Sequence, residues 1–99
     1  MTLTTYYHAT PYENLHSIMG EGIRRSWGGV YCSTVMETSA KWICFTRPQS
    51  KKIVVLPFKR LKSQMDYASF VCAEGIPASD IVWEDVRVFE NPFFAGVEQ

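Results

Sequence analysis

The sequence predicts an α+β domain in which short strands and two short helices share one core. Residues 4–9 are rich in threonine and tyrosine, which favour a half-buried strand, and residues 53–56 form a continuous apolar run of strand length. Two patterns typical of helix starts lie between these strands. With 99 residues and 46% hydrophobic content the chain suffices for one core, so we expect a single domain over residues 1–99, its core at about 4–89 and an irregular tail at 90–99.

The first helix is predicted from the residues that follow the first strand. Thr10, Pro11 and Glu13 match a capping box with proline at the first helical position, so we expect a helix that begins at Pro11. Gly20 and Gly22 suit the left-handed conformation that ends helices. The helix should therefore be short, about ten residues.

A strand, a helix and a central strand are predicted next. Residues 29–33 favour a second strand, and Thr34 with Glu37 repeats the capping-box pattern, which predicts a helix from Val35 to about Phe45. The apolar run within residues 52–58 indicates a central strand buried on both faces.

The last third predicts two further strands around a turn. Pro57 is expected to mark the end of the central strand, because proline cannot donate to a strand ladder. After it we expect a strand over residues 67–73, a turn at 75–81 and a last strand within 82–89.

The cysteines favour free thiols over disulfides. Cys32, Cys44 and Cys72 are odd in number, widely spaced and set among apolar residues, which is typical of buried thiols in a reducing compartment. His8 and His16 are the only histidines, and no metal-ligand spacing is present, so we expect no metal. No segment approaches the roughly twenty apolar residues of a membrane span, and we expect a cytoplasmic protein.

The charges balance and exclude a global field for binding a polyanion. Ten basic and ten acidic residues give a formal net charge of zero. A nucleic-acid partner would therefore need a local patch, for which residues 24–25, 51–52 and 59–62 are candidates. The alternative is that these are solvated charges at the ends of secondary-structure elements.

Six short motifs follow one another along the chain: Tyr7-His8-Ala9-Thr10, Asn14-Leu15-x-Ser17-Ile18, Gly22-Ile23, Gly29-Val30-Tyr31-x-Ser33, Phe70-Val71 and Gly75-Ile76-Pro77-Ala78-Ser79-Asp80-Ile81. In this order, over roughly residues 5–83, they resemble the ADP-ribosyltransferase-like superfamily. The likeness is to the small branch that contains DNA ADP-ribosyltransferase toxins and tRNA 2'-phosphotransferases. The resemblance implies a compact split β-sheet core that holds NAD in a cleft between two sheets.

The resemblance also implies roles for two residues. A first-strand histidine that hydrogen-bonds a ribose matches His8, and a second-strand tyrosine that packs on the nicotinamide matches Tyr31. Imidazole can donate from one nitrogen and accept at the other, and a tyrosine ring offers a flat contact area. The alternatives are a half-buried histidine bonded to the backbone and ordinary strand packing of the tyrosine.

Further candidates surround these two residues. Thr10 and Ser33 precede predicted helix starts, where backbone amides can receive a phosphate, although helix capping alone also explains them. Trp42 could stack on a base, and Arg24, Arg25 and Lys41 could line the rim of the cleft.

The chain departs from the family pattern at the catalytic carboxylate. Active transferases of this type carry a glutamate that stabilises the developing oxocarbenium charge, and the matching position here is Ser69, which has no fixed charge. Glu74 is the displaced candidate, although strand alternation aims it at the opposite face unless a bulge intervenes. The arginine that 2'-phosphotransferases place beside the first-strand histidine is also absent, since Tyr7 and Ala9 flank His8.

Three functional hypotheses follow. The first is a minimal transferase that moves ADP-ribose from NAD to a protein or nucleic acid, using His8, Tyr31 and Glu74. The second is a catalytically inactive module of the same fold that binds a nucleotide or a protein. The third is a compact interaction protein, such as an inhibitor from a phage or mobile element, with Trp27 or Phe93 at the contact.

Overall fold

The computed structural model, which describes residues 2–25, 29–66 and 70–94, contains two small antiparallel sheets and two α-helices. In chain order the elements are β1 (Thr4–Pro11), α1 (Leu15–Glu21), β2 (Val30–Tyr31), α2 (Met36–Thr46), β3 (Lys52–Arg60), β4 (Met65–Asp66), β5 (Val71–Cys72) and β6 (Arg87–Glu90). Short 3-10 turns occupy Tyr12–Asn14, Lys62–Gln64, Ala78–Asp80 and Trp83–Asp85. This is the mixed α/β class that the sequence predicts. Trp27 and Ser69 lie outside the described residues.

Each sheet has three strands, and the bridge between Tyr7 and Ser33 connects their neighbouring edges. The first sheet has the order β1-β3-β6 and the second the order β2-β5-β4. Tyr7 N–H donates to the Ser33 carbonyl at 2.7 Å, and Ser33 N–H donates back at 3.1 Å. This bridge joins β1 to the segment that follows β2 and so connects the two sheets through backbone hydrogen bonds.

Strand β3 lies at the centre of the first sheet and is buried on both faces, as predicted. Val54, Leu56 and Phe58 face the larger core, which includes residues of the second sheet. Ile53 and Val55 face the opposite side and pack with α2. A run of apolar residues without alternation is what a strand covered on both faces requires.

Pro57 lies inside β3 rather than at its end, so that prediction was wrong. Its partner in β1 is Tyr7, which directs its own N–H and C=O to Ser33 and therefore needs no donor from Pro57. On the other side β6 pairs with β3 only as far as Val55, and the Pro57 carbonyl accepts from Val82 N–H at 2.9 Å. The proline therefore occupies a ladder position at which no neighbouring strand requires an N–H.

The predicted capping box at the first helix does not form. Pro11 is the last residue of β1, and the Thr10 hydroxyl accepts from Asn14 Nδ2 at 2.8 Å. Glu13 accepts from the Ser50 hydroxyl at 3.4 Å instead of reaching back to the Thr10 amide. Pairing with β3 keeps this segment extended, and α1 begins four residues later than predicted, at Leu15.

The second helix has the predicted position but not the predicted cap. Helix α2 runs one residue later at each end than the predicted Val35–Phe45. Val35 is its N-cap and makes no side-chain capping bond, so Thr34 and Glu37 do not form a capping box. The Ser33 hydroxyl bonds to Val35 instead, donating to its carbonyl at 2.7 Å.

The remaining strands are shorter than predicted. Of the strand expected over residues 67–73, Val71–Cys72 is a strand, and residues 67–69 lie outside the described ranges. The last strand is displaced towards the C-terminus, at Arg87–Glu90, because Trp83–Asp85 forms a 3-10 turn.

The three cysteines are buried free thiols, as predicted. Burial raises the pKa of Cys32 to about 12, and the neighbouring Cys72 acts in the same direction. Burial also raises the pKa of Cys44. These thiols are part of the core and not candidates for nucleophilic chemistry, which needs a thiolate.

Candidate functional site

A cleft of about 620 Å³ opens where β1 and β2 separate beyond the Tyr7–Ser33 bridge. This volume falls within the roughly 300–1,000 Å³ that small-molecule sites occupy. The cleft is lined by the end of β1, by α1 and the residues after it, by β2 and the residues after it, and by one side of α2. The lining residues are 8–11, 14, 17–18, 22–24, 30–33, 38–39, 42–43, 47 and 70. Six of the predicted residues, His8, Thr10, Arg24, Tyr31, Ser33 and Trp42, are among them, whereas Arg25 and Lys41 are not.

His8 connects the two strands at the point where they separate. Its Nδ1 lies 2.8 Å from the Tyr31 carbonyl oxygen. Because a carbonyl can only accept, Nδ1 carries the proton, and Nε2 of the neutral ring is then an acceptor. Burial lowers the pKa of His8, and the hydrogen bond to Tyr31 opposes this only in part. The imidazole is therefore neutral near pH 7.

Beside His8, at the edge of β1, the N–H and C=O of Ala9 have no hydrogen-bond partner among the described residues. In an antiparallel ladder, every second residue directs its N–H and C=O to the same side. Tyr7 directs these groups away from β3 to Ser33, so Ala9, two residues later, also directs them away from β3. At Ala9, β2 and the segment after it have already separated from β1, and no described residue pairs with the N–H or C=O of Ala9. Ala9 also lines the cleft.

Buried hydroxyl groups hold the walls of the cleft together. Ser39 donates to the Tyr7 carbonyl at 2.8 Å, and its oxygen lies 2.6 Å from Ser33 Oγ, so the single Ser33 proton is shared between Ser39 Oγ and the Val35 carbonyl. These bonds tie α2 to β1 and to the segment after β2. Thr10 and Ser33 are both buried, and their hydroxyl oxygens already have protein partners. The structure therefore gives both residues a positioning role in the cleft.

Three aromatic side chains line the cleft and remain accessible. Tyr31 is 51% exposed, Trp42 is 64% exposed and Phe70 is 52% exposed. Flat rings of this kind can stack on the face of a nucleobase or a pyridine ring. The resemblance indicates Tyr31 and the sequence indicates Trp42. Phe70 was missed as a site residue, because its motif indicated only a strand.

The cleft carries positive charge although the protein as a whole is neutral. Arg24 and Arg47 line it, and Arg24 pairs with Glu21 on the exposed side of α1. Nine of the ten acidic residues lie in the described ranges, and none of these nine lines the cleft. Arg47 was not predicted as a site residue, since Arg47 and Pro48 indicated only the end of a helix.

The structure does not bring Glu74 to the cleft. Strand β5 ends at Cys72, and a bend at residues 73–74 leaves Glu74 exposed to solvent. The following Gly75 is held near the backbone of Ile23, which pairs with Ile76. The described lining of the cleft thus contains no carboxylate.

His8 should make the stability of the protein depend on pH in a defined window. The pKa of His8 in the folded protein is below its ordinary value of 6.5. As pH falls below 6.5, the unfolded chain binds a proton that the folded protein does not, so the free energy of unfolding should decrease until the folded pKa is reached. His8→Asn can still donate to the Tyr31 carbonyl but cannot titrate, so it should abolish this part of the decrease.

Urea unfolding between pH 7.5 and pH 5 checks this expectation. His16→Asn is the matched control, because His16 is the other histidine and is exposed. An equal decrease in the wild type and in His8→Asn would contradict the assignment of this effect to His8.

In the ranges that the structure covers, no helix is long and apolar enough to cross a membrane. Among the same residues, no group of three or more histidine, cysteine, aspartate or glutamate side chains is placed to hold a metal ion. Comparison with protein-family models, with curated proteins and with solved structures gives no match.

Proposed function

We propose that the protein is a nucleotide-binding module with an ADP-ribosyltransferase-like fold that holds NAD or a closely related dinucleotide in the cleft between β1, β2 and α2. One observation carries the proposal. Three features lie around one opening between β1 and β2: the Ala9 peptide edge, which has no partner among the residues that the structure describes, the neutral imidazole of His8 and the exposed ring of Tyr31.

The nicotinamide end of NAD has the groups that this opening can bind. A carboxamide both donates and accepts, which complements the N–H and C=O of Ala9. The exposed Tyr31 ring can pack on the pyridine face. The Nε2 of His8 can accept a hydrogen bond from a ribose hydroxyl, since its Nδ1 proton is already donated to Tyr31.

The rest of the cleft suits a diphosphate and an adenine. Arg24 and Arg47 can donate paired hydrogen bonds to phosphate oxygens. Trp42 and Phe70 supply accessible rings for a base.

We propose binding without transfer, because the described lining offers no carboxylate. Transfer of ADP-ribose requires positive charge on the ribose to be stabilised as the nicotinamide leaves, and a fixed negative group supplies this stabilisation. Glu74 is exposed and does not line the cleft. Transfer to a protein or nucleic acid is therefore the second candidate, to be tested directly.

Calorimetric titration with NAD tests binding. Tyr31→Ala should weaken NAD binding by roughly ten- to a hundredfold, as expected for a lost stacking contact. Its side chain is half exposed, so the fold should survive. Tyr12→Ala is the matched control, because Tyr12 is 43% exposed and does not line the cleft.

Incubation with labelled NAD and a cell lysate separates binding from transfer. Unchanged NAD together with saturable binding supports the proposed module. Labelled product that depends on the protein would favour the transferase. If calorimetric titration with NAD, NADP and ADP-ribose gives no heat of binding, and none of the three displaces labelled NAD from the protein, nucleotide binding is overturned altogether.

A further inference from the structure

The distribution of charge in the cleft bears on which dinucleotide it would accept. Of the described residues that line the cleft, Arg24 and Arg47 are the charged ones at neutral pH, because His8 is neutral. Nine acidic residues are described and all lie elsewhere. Two positive groups thus border the place where the ligand would bind, and Arg24, one of the two, is also paired with Glu21 outside the cleft lining.

Sites that select NAD over NADP commonly use an acidic side chain. Its carboxylate bonds the diol of the adenosine ribose and repels a phosphate at the 2' position, whereas a nearby arginine accommodates that phosphate. The described lining of this cleft offers arginine and no acid, so it has the charge pattern that accepts the additional phosphate.

The two arginines lie on different walls of the cleft. Arg24 follows α1, and Arg47 follows the last residue of α2. NADP likewise carries phosphate at two separated places, the diphosphate and the 2' position. We infer that the cleft selects a dinucleotide with a phosphate on the 2' oxygen of the adenosine ribose, with one arginine for each phosphate group. This inference rests on the proposed function.

Both guanidinium groups can turn to a ligand at small cost. Arg24 and Glu21 are three residues apart in the chain, and their side chains are 79% and 50% exposed. Exposed ion pairs of this kind contribute little to the free energy of folding. Arg47 donates to the Thr46 carbonyl at 3.1 Å, and no carboxylate among the described residues lies within ion-pair distance of it.

Parallel calorimetric titrations with NAD and NADP test the inference. NADP should bind roughly tenfold more tightly or better at low salt, as expected for a charge-assisted contact to a phosphate. The preference should shrink as ionic strength rises. The double variant Arg24→Gln/Arg47→Gln should bring the two affinities close to equal. Arg25→Gln is the matched control, since Arg25 is exposed and does not line the cleft.

The outcomes separate this inference from the function on which it rests. If the double variant loses the preference for NADP and Arg25→Gln retains it, the result supports both the phosphate preference and the proposed nucleotide binding. Binding of NAD as tight as that of NADP, or tighter, overturns the phosphate preference and leaves nucleotide binding intact. A preference that survives in the double variant overturns the assignment to Arg24 and Arg47. Binding of neither dinucleotide overturns the proposed function itself.

Discussion

Gly22→Ala should destabilise the folded protein by about 3 kcal/mol or more, whereas Gly20→Ala should leave it unchanged or stabilise it by up to about 1 kcal/mol. Gly22 has φ +77° and ψ −173°, a region that is essentially restricted to glycine. A Cβ at this position would overlap the Ile76 carbonyl oxygen and lie 2.8 Å from Ala78 N. These neighbours are backbone atoms and cannot rotate away.

The surroundings of Gly22 make the cost hard to relieve. Its N–H donates to the Ile18 carbonyl at 2.8 Å and ends α1, and the next residue, Ile23, exchanges two backbone hydrogen bonds with Ile76. Moving Gly22 to make room would break the bonds that attach α1 to the turn before Ala78–Asp80. Because Gly22 and Ile23 both line the cleft, ligand binding should weaken together with stability.

Urea unfolding of the two alanine variants measures the difference. Gly20 lies within α1, and a Cβ added to it would meet no heavy atom within 4 Å, so alanine there adds helix propensity without a clash. The same loss of stability in both variants would show that helix propensity, and not the backbone geometry at Gly22, governs the effect.

Elements with a strong local signal could be predicted from the sequence. Helix α2 was predicted to within one residue at each end, because its apolar positions recur at helical spacing and proline follows it. Strand β3 was predicted as central and doubly buried, because no polar residue interrupts residues 53–56. In both cases the pattern that determines the element is contained in the element itself.

Details that depend on a distant partner could not be predicted. The Thr10 pattern favours a helix cap, but pairing with Val54 keeps Thr10 in a strand, so tertiary hydrogen bonds prevail over the local motif. Pro57 would normally end a strand, and only the positions of Tyr7 and Val82 explain why it is accepted.

The same distinction holds for the candidate site. His8 and Tyr31 carry recognisable side chains in recognisable motifs, and both line the cleft. The peptide edge at Ala9 has no side-chain signal, because it arises from where a neighbouring strand stops. Phe70 and Arg47 reach the cleft from segments far apart in the chain, and their placement depends on the packing of α2 and β5.

Asn91→Ala should lower the free energy of unfolding by about 2–4 kcal/mol, because several buried carbonyl groups would lose their donor together. Asn91 is only 5% exposed. Its Nδ2 donates to the carbonyls of Cys44 at 3.3 Å, Arg47 at 3.0 Å and Ser50 at 2.9 Å. Its Oδ1 accepts from Phe93 N–H at 2.9 Å. One side chain thus binds a carbonyl of the last turn of α2, the carbonyl of its C-cap Arg47 and the carbonyl of Ser50 beyond the helix. The last carbonyls of a helix have no intrahelical donors, so such bonds must come from elsewhere.

Asn14→Ala is the matched control for this prediction. Asn14 is the other asparagine of the chain, is exposed, and makes one side-chain bond, to Thr10. Its loss should cost no more than about 1 kcal/mol. Urea unfolding of both variants gives the comparison, and equal midpoints would contradict the role given to Asn91.

Asn91→Asp distinguishes lost hydrogen bonds from lost packing. Aspartate keeps the size of the side chain and the acceptor for Phe93, but it replaces the amide donor with an oxygen that faces three carbonyl oxygens. If packing dominated, aspartate would be tolerated better than alanine. Because a buried carboxylate with Phe93 N–H as its one donor and three carbonyl oxygens facing it costs more than an absent side chain, we expect aspartate to be at least as destabilising as alanine near pH 7. The aspartate variant should regain part of the loss as pH falls and the carboxyl group takes up a proton that it can donate.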